Sequence, residues 1–325
     1  MTTIALFIGL AAVHITKPGV GVSLPVSAAP ALAETKVTFT SVLEHLVPQS
    51  VFEAATKNEV LQVVFFSILF AVALAQVKSK AKETLVAVFE AGAETMFKFT
   101  GIVMKFAPIG IGAAIAVTVG HSGLGVLVNL GKLVLTLYAA LIVFVLVALL
   151  PVALIARVPI RRFLRAIKEP ALIAFATTSS EAALPKAMEN MEKFGVPRRI
   201  VSFVLPAGYS FNLDGSTLYL SLAAIFVAQA AGIELSLGTQ LLMMLTLMLT
   251  SKGVAGVPRA SLVILSGTLA SFGLPLEGVA LILGVDELMD MARTTVNLVG
   301  NCLAAAVMGR WEGEADFTER AVAPA

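Results

Sequence analysis

Residues 286 to 301, DELMDMARTTVNLVGN, draw one polar seam along an otherwise oily helix. At 3.6 residues per turn, Asp286, Asp290, Arg293, Thr294, Asn297 and Asn301 fall within a stripe about 100° wide. Leu288, Met289, Met291, Val296, Leu298, Val299, Cys302 and Leu303 cover the other faces. Three ionised side chains inside a membrane helix cost roughly 8 to 10 kcal/mol, and a dozen apolar residues return only roughly 4 to 7. Alone, such a helix inserts poorly. It has to bury the seam against other protein or a watery cavity, and ionisable groups held inside a span mark a functional site by default.

The surrounding chain supplies the membrane setting. Of 325 residues, 58% are hydrophobic and 14% charged, more apolar and less charged than a soluble domain. This predicts an all-α polytopic membrane protein. A net charge of +2 gives no reason to expect nucleic acid as a partner. His14, His45 and His121 are scattered and Cys302 is single, so neither a metal cluster nor an intrachain disulfide is expected.

Residues 1 to 15 are apolar but short for a hydrocarbon core of about 30 Å. They read either as a secretory signal, for which the basic n-region is missing, or as the end of a helix that begins upstream; the second reading is preferred. Residues 42 to 55 are amphipathic, and 60 to 77 form an apolar run of spanning length before Lys78, Lys80 and Lys82. A long helix follows over 85 to 119, interrupted at 107 to 110, with Lys98 and Lys105 snorkelling. Residues 127 to 155 return to Arg157, Arg161, Arg162, Arg165 and Lys168. The positive-inside rule makes that cluster cytoplasmic, and the next one, Lys186, Lys193, Arg198 and Arg199, equally so.

Between those two clusters lie too few residues to cross and come back. A re-entrant hairpin over about 169 to 186 is therefore expected, with a polar tip at 177 to 181 that has to be buried or line a cavity. Residues 200 to 231 are broken by Pro206, Gly208 and Asn212-Leu-Asp-Gly-Ser216. A second interrupted stretch, 236 to 274, has no basic clusters at its ends and reads as a hairpin entering from the other side. Two hairpins of opposite entry, each followed by a polar-interrupted helix, predict an inverted repeat with a site at the midplane.

With these motifs in order, the chain resembles the dicarboxylate/amino acid:cation symporters, the glutamate transporter family, and in particular bacterial proton/sodium-glutamate symporters. The carriers are Thr178-Ser-Ser-Glu181, Gly208-Tyr-Ser-Phe-Asn-Leu-Asp-Gly-Ser216, Ser251-Lys-Gly-Val-Ala-Gly-Val-Pro258 and Asp290-Met-Ala-Arg-Thr294 with Asn297. The resemblance runs over about residues 2 to 313. It implies a multi-pass protein of the bacterial inner membrane, a homotrimer in lipid, that imports glutamate or aspartate with sodium ions, protons or both by an elevator-type movement, without cofactor and without enzymatic activity.

It further implies a truncated transport-domain helix at 1 to 16, an extracellular loop at 17 to 39, scaffold helices at 40 to 119, a transport domain at 125 to 313 and a cytoplasmic tail at 314 to 325. Arg293 would take the substrate's side-chain carboxylate and Asp290 its ammonium group, with Ser179, Ser180, Ser216, Val257, Thr294 and Asn297 completing the pocket. Arginine suits that task because its fork donates two parallel hydrogen bonds. The arginine is then expected to be neutralised only when an acidic substrate arrives. Gly208, Asn212, Asn297 and Asn301 would form one sodium site; Asp214 and Asn212 with Thr2 a second; carbonyls of Ser251, Lys252 and Val254 a third.

Four departures from the family pattern stand out. The first two helices and part of a third are missing, so an inactive fragment is one alternative. Asn301 stands where many sodium-coupled relatives carry Asp, and Leu220 replaces a carboxylate that carries a proton in animal relatives. Arg259 occupies a hairpin-tip position that is often Gly. Blander readings remain open residue by residue: Asp290 and Arg293 as an internal i,i+3 ion pair, Asp214 as a cap, and the Ser/Thr tip as helix capping. A membrane aspartyl protease would need two unpaired catalytic carboxylates, and its sequence patterns are missing. A C4-dicarboxylate carrier is the alternative cargo reading, and an acid at 290 argues for an ammonium ligand instead.

Overall fold

A computed structural model describes residues 1–22, 47–57, 60–251 and 259–317, and among them every regular element is a helix. In chain order these are α1 Thr2–Thr16, α2 Val51–Thr56, α3 Val60–Gln76, α4 Ala81–Met104, α5 Ala107–Ser122 and α6 Gly125–Ile155. Then come α7 Ile160–Thr177, α8 Ser180–Phe194, α9 Arg198–Phe211, α10 Asp214–Ala230, α11 Leu237–Thr250, α12 Ala260–Ser271, α13 Glu277–Leu283 and α14 Asp286–Trp311. By length and composition, 125–155 and 198–230 can each cross a membrane.

Local chemistry explains the interruptions. α5 restarts after α4 with Pro108 in its first turn, where a missing N–H costs nothing. Inside α6 the turn Val145–Leu149 widens to π geometry just before Pro151, whose nitrogen has no hydrogen to donate to the i−4 carbonyl and whose ring crowds it. α9 carries Pro206 and stops at Asn212, and the backbone leaves helical geometry at Asn212 and Leu213 before α10 begins.

α7 and α8 form an antiparallel hairpin. Lys186 reaches Glu169 at 3.3 Å, Asn190 donates to the Ala166 carbonyl at 2.9 Å, and the Phe163 and Phe194 rings meet edge-on at 5.9 Å. The paired positions run in opposite directions, with the turn at Thr178 (φ 51°) and Ser179, whose side chain accepts from the Ala182 amide. The hairpin spans 160–194, longer than the 169–186 expected. Arg161, Arg162, Arg165 and Lys168, read above only as a cytoplasmic cluster, belong to α7.

α10 sits at the centre: all its residues but Gln229 are buried, among α1, α6, α11, α12 and α14. α14 packs against α7, α9 and α10, and its Leu288 carbonyl accepts from the Tyr138 hydroxyl of α6 at 2.8 Å. At one end of the bundle, the amide of Asp316 donates to Gly195, Arg199 pairs with Glu314 and Phe194 lies 4.8 Å from Phe317. That gathers the open end of the α7–α8 hairpin, the start of α9 and the end of α14. At another, Asn129 donates to the carbonyls of Pro18 and Val20, Gln229 accepts from the Gly19 amide, and His14 is 2.6 Å from Gln240.

α3, α4 and α5 lie outside this bundle. α3 touches α2 and α11, α5 touches α6 and α13, and Phe70 meets Phe89 at 5.7 Å to join α3 to α4. Much of the expected loop over 17–39, the start of the stretch 40–119 and most of the tail over 314–325 lie outside the described residues.

Candidate functional site

The seam of α14 closes on itself through Arg293. Its Nε donates to Asp290 Oδ1 at 3.0 Å, and its two terminal nitrogens donate to Asp286 Oδ1 and Oδ2 at 2.9 and 3.3 Å. Helical side chains lean toward the N-terminus, so an arginine reaches acids three and seven residues before it. The guanidinium carbon lies 4.0 Å from the centroid of the Tyr219 ring, contributed by α10. Arg293 and Asp286 are fully buried and Asp290 nearly so. One cation thus faces two carboxylates in a dry setting, and hydrogen bonds satisfy the charges that burial would otherwise penalise.

This corrects the expectation that Arg293 waits for a substrate to be neutralised. Asp286 was visible on the seam but carried no assigned role, and Tyr219 gave no sequence signal at all. Spacing places Asp286 on the right face; only the packing of α10 against α14 turns the guanidinium back toward it.

Asp290 is more than Arg293's partner. Its Oδ1 also accepts from the Thr294 hydroxyl at 2.9 Å, and its Oδ2 accepts from the Arg259 backbone amide at 2.8 Å. Arg259 starts α12 with a left-handed backbone (φ 64°), a conformation that fits a position where Gly is common, and its side chain pairs with Glu287 at 2.7 Å. The Arg259 amide thus ties the start of α12 to the seam at Asp290, while Lys252, Val254 and Val257 lie outside the described residues. Ser251, buried at the end of α11, donates its hydroxyl to the Met248 carbonyl at 3.1 Å.

Two turns further along, Asn297 meets the break between α9 and α10. Its Oδ1 accepts from the amides of Gly215 and Ser216 at 2.8 and 3.2 Å, and its Nδ2 donates to the Ser216 hydroxyl at 2.9 Å. A side chain from another helix thus caps α10, satisfying backbone donors that the break exposes. Beside it, the Thr2 hydroxyl donates to Asp214 Oδ1 at 3.2 Å, so α1 reaches the same place.

Asn212 bridges Asp214 and Asn301. In one orientation its Nδ2 donates to Asn301 Oδ1 at 3.0 Å; turned over, its nitrogen donates to both Asp214 carboxylate oxygens at 3.2 and 3.3 Å and its oxygen faces Asn301, whose amide must then turn as well to donate. Asn301 Nδ2 is buried without a hydrogen-bond partner among the described residues. Gly208 abuts the same amide: a methyl group there would overlap the Asn301 side chain, which would have to move aside. Its carbonyl accepts from the Asn212 amide at 2.7 Å.

The structure therefore brings Asp290, Arg293 and Thr294 together, joins Asn297 to Ser216, and gathers Gly208, Asn212, Asp214, Asn301 and Thr2. Ser179 and Ser180 lie at the α7–α8 turn; Ser180 is buried, and both helices pack on α14. Among the described residues no three of His, Cys, Asp and Glu converge as metal ligands. What the arrangement can do chemically is hold charged and hydrogen-bonding groups of a small molecule, and oxygens around a cation, at breaks in buried helices.

A family profile, the sodium:dicarboxylate symporter family, matches residues 1–311. The chain is 45% identical over 323 residues to a proton/sodium-glutamate symport protein of Geobacillus stearothermophilus, covering 97% of this chain and 76% of the relative. It is 44% identical over 326 residues to a proton/glutamate-aspartate symporter of Escherichia coli (strain K12), covering 97% and 75%. It is also similar, at 43% over 323 residues covering 97% and 73%, to a C4-dicarboxylate transport protein of Rhizobium etli.

Proposed function

Because this chain belongs to the sodium:dicarboxylate symporter family, we propose that it imports acidic amino acids, glutamate or aspartate, together with protons, sodium ions or both. Family membership makes it a membrane symporter and not an enzyme. The substrate and its coupling are the proposal, and the observation that carries them is the buried cluster of Arg293, Asp286 and Asp290.

Arginine has five N–H donors. One from each of its three nitrogens is engaged by the two aspartates, which leaves two for a carboxylate of the substrate. Asp290 is one helical turn away and offers a counter-charge for the ammonium group. The cluster already holds one more negative than positive charge, and an acidic amino acid adds another. Burying that surplus without company is costly, so cations entering with the substrate offset it.

The oxygens for those cations come from the second cluster. Gly208, Asn212, Asp214, Asn301 and Thr2 supply carbonyl, amide, carboxylate and hydroxyl groups, the hard ligands such ions prefer. The unsatisfied Nδ2 of Asn301 favours an amide turned over, which would present its oxygen instead. Asn301 in place of an acid removes one unit of charge, which favours coupling to protons or to fewer sodium ions.

Movement is proposed to divide the chain at about residue 120, with 1–16 and 125–313 sliding past a homotrimeric scaffold of 40–119 in the bacterial inner membrane. The α7–α8 and α11–α12 pairs would act as re-entrant hairpins of an inverted repeat. Sparse packing between α3–α5 and the remaining helices supports that division.

A C4-dicarboxylate cargo is the second reading. Asp290 is already satisfied by Arg293, Thr294 and the Arg259 amide, so it does not need an ammonium group. Binding of glutamate, aspartate, serine and succinate to the protein and to Arg293→Cys separates the two. Loss of glutamate binding by at least roughly 2 to 5 kcal/mol, with serine little changed, is the expected result. Unchanged glutamate affinity refutes the role of Arg293, and tight succinate binding by the unmodified protein favours the dicarboxylate.

A further inference from the structure

Between the open ends of α7 and α8 lies a cavity of about 270 Å³ lined by Arg162, Arg165, Ala166, Asn190, Lys193 and Phe194. Three of the six lining residues are cations and none is an acid. Part of the wall is fixed: Asn190 donates to the Ala166 carbonyl at 2.9 Å, and the Arg162 guanidinium lies 6.0 Å from the Phe194 ring centroid. Lys193 pairs with Glu189 at 2.5 Å, but the two side chains are 70% and 47% exposed, where an ion pair contributes little. Nothing in the transport site described above uses this cavity.

The outer face of α7 indicates what kind of anion fits. Arg161, Leu164, Arg165, Lys168 and Leu172 recur at spacings of three and four, so they share one helix face. Leu164 and Leu172 are 56% and 59% exposed. Cations crowd the first turns, at the end where Arg199 and Glu314 also meet, and the face turns apolar toward the hairpin tip. A phosphate at the cations and a hydrocarbon chain along the leucines satisfy both halves.

We propose that this cavity binds the phosphate of an anionic membrane lipid, with the acyl chain lying along Leu164 and Leu172. Basic pockets between helices near a membrane surface recognise headgroups in this way, and arginine's fork matches phosphate oxygens. A free phosphate ion shares the headgroup chemistry but has no use for the leucines.

The test uses the full chain in vesicles of phosphatidylcholine with and without phosphatidylglycerol, counting the lipid that stays bound after extraction. Arg165→Gln combined with Lys193→Gln should weaken phosphatidylglycerol retention about thirtyfold, while Lys78→Gln with Lys80→Gln, an equal loss of charge in another basic segment, should leave it unchanged. Ala166→Trp, which fills the cavity and keeps every charge, should lose the lipid as the first pair does. Equal losses in the two charge-removing pairs mean diffuse attraction and overturn the site, as does full retention in Ala166→Trp. Inorganic phosphate is the second probe: binding of phosphate at the cavity without preference for phosphatidylglycerol overturns the lipid assignment.

Discussion

α10 and α4 are both helices of a membrane symporter, and they meet their surroundings in opposite ways. α10 buries every residue except Gln229, including Asp214, Ser216, Thr217 and Ser221. α4 leaves Leu85, Val88, Phe89, Met96, Phe99 and Ile102 exposed. Polar groups go inside the bundle of α1 and α6–α14, where other helices supply their partners. Apolar groups point away from the bundle on α3–α5, where no other described residue covers them. In water the second arrangement would be an aggregation hazard. In a membrane, lipid tails are as good a solvent for leucine as a protein core, and the same face is open to neighbouring copies in the trimer proposed above.

The sharpest way to break this comparison is to remove charge from each region. Asp286→Ala leaves Arg293 paired with Asp290 alone and strips the acceptor from both of its terminal nitrogens, a loss of about 1 to 3 kcal/mol for each buried donor left unsatisfied. Glu94→Ala on the exposed surface of α4 should stay within about 0.5 kcal/mol. Unfolding of the purified full chain in detergent measures both. If the Asp286 variant unfolds where the unmodified protein does, the seam is solvated and the contrast between the two regions fails.

Asn297→Ala comes next. It strips the acceptor from the Gly215 and Ser216 amides and the donor from the Ser216 hydroxyl, all buried. Each orphaned group costs about 1 to 3 kcal/mol, reduced where water enters. Amide exchange at the start of α10 should quicken while exchange within α4 stays as it was. Protection retained at Gly215 and Ser216 would show that another group caps α10.

How much of this was legible before the structure depends on the range of the interaction. The seam at 286–301 and the break at Asn212–Leu213 are written in local periodicity and in the clustering of Pro, Gly, Asn and Asp, so they could be read directly. The α7–α8 turn at Thr178 and Ser179 falls within the polar stretch 177–181, but the helix ends were not legible, because the charges of Arg161, Arg165 and Lys168 indicate a side of the membrane and not a secondary structure. Arg293's pairing with Asp286 was not legible: a stripe shows that two residues can meet, and it takes Tyr219 of α10 against the guanidinium to decide that they do. Thr2 and Asp214, 212 residues apart, were joined by family resemblance alone.

The smallest effects give the finest comparison, because the same chemical change should act with opposite sign in the two regions. At Gly215 a methyl group would be driven into the backbone carbonyl of Arg293 on α14, which cannot swing away as a side chain could. Gly215→Ala should therefore push α10 from α14 and destabilise by about 1 to 3 kcal/mol. At Gly92, in the middle of α4, a methyl group meets nothing within 4 Å. There only the backbone matters: alanine loses less conformational freedom than glycine on entering a helix, so Gly92→Ala should stabilise by about 0.5 to 1 kcal/mol. Melting temperatures of the two variants against the unmodified chain read the signs. A destabilised Gly92→Ala would mean that another copy or another segment packs tightly on α4, so that its face is an interface and not a lipid surface.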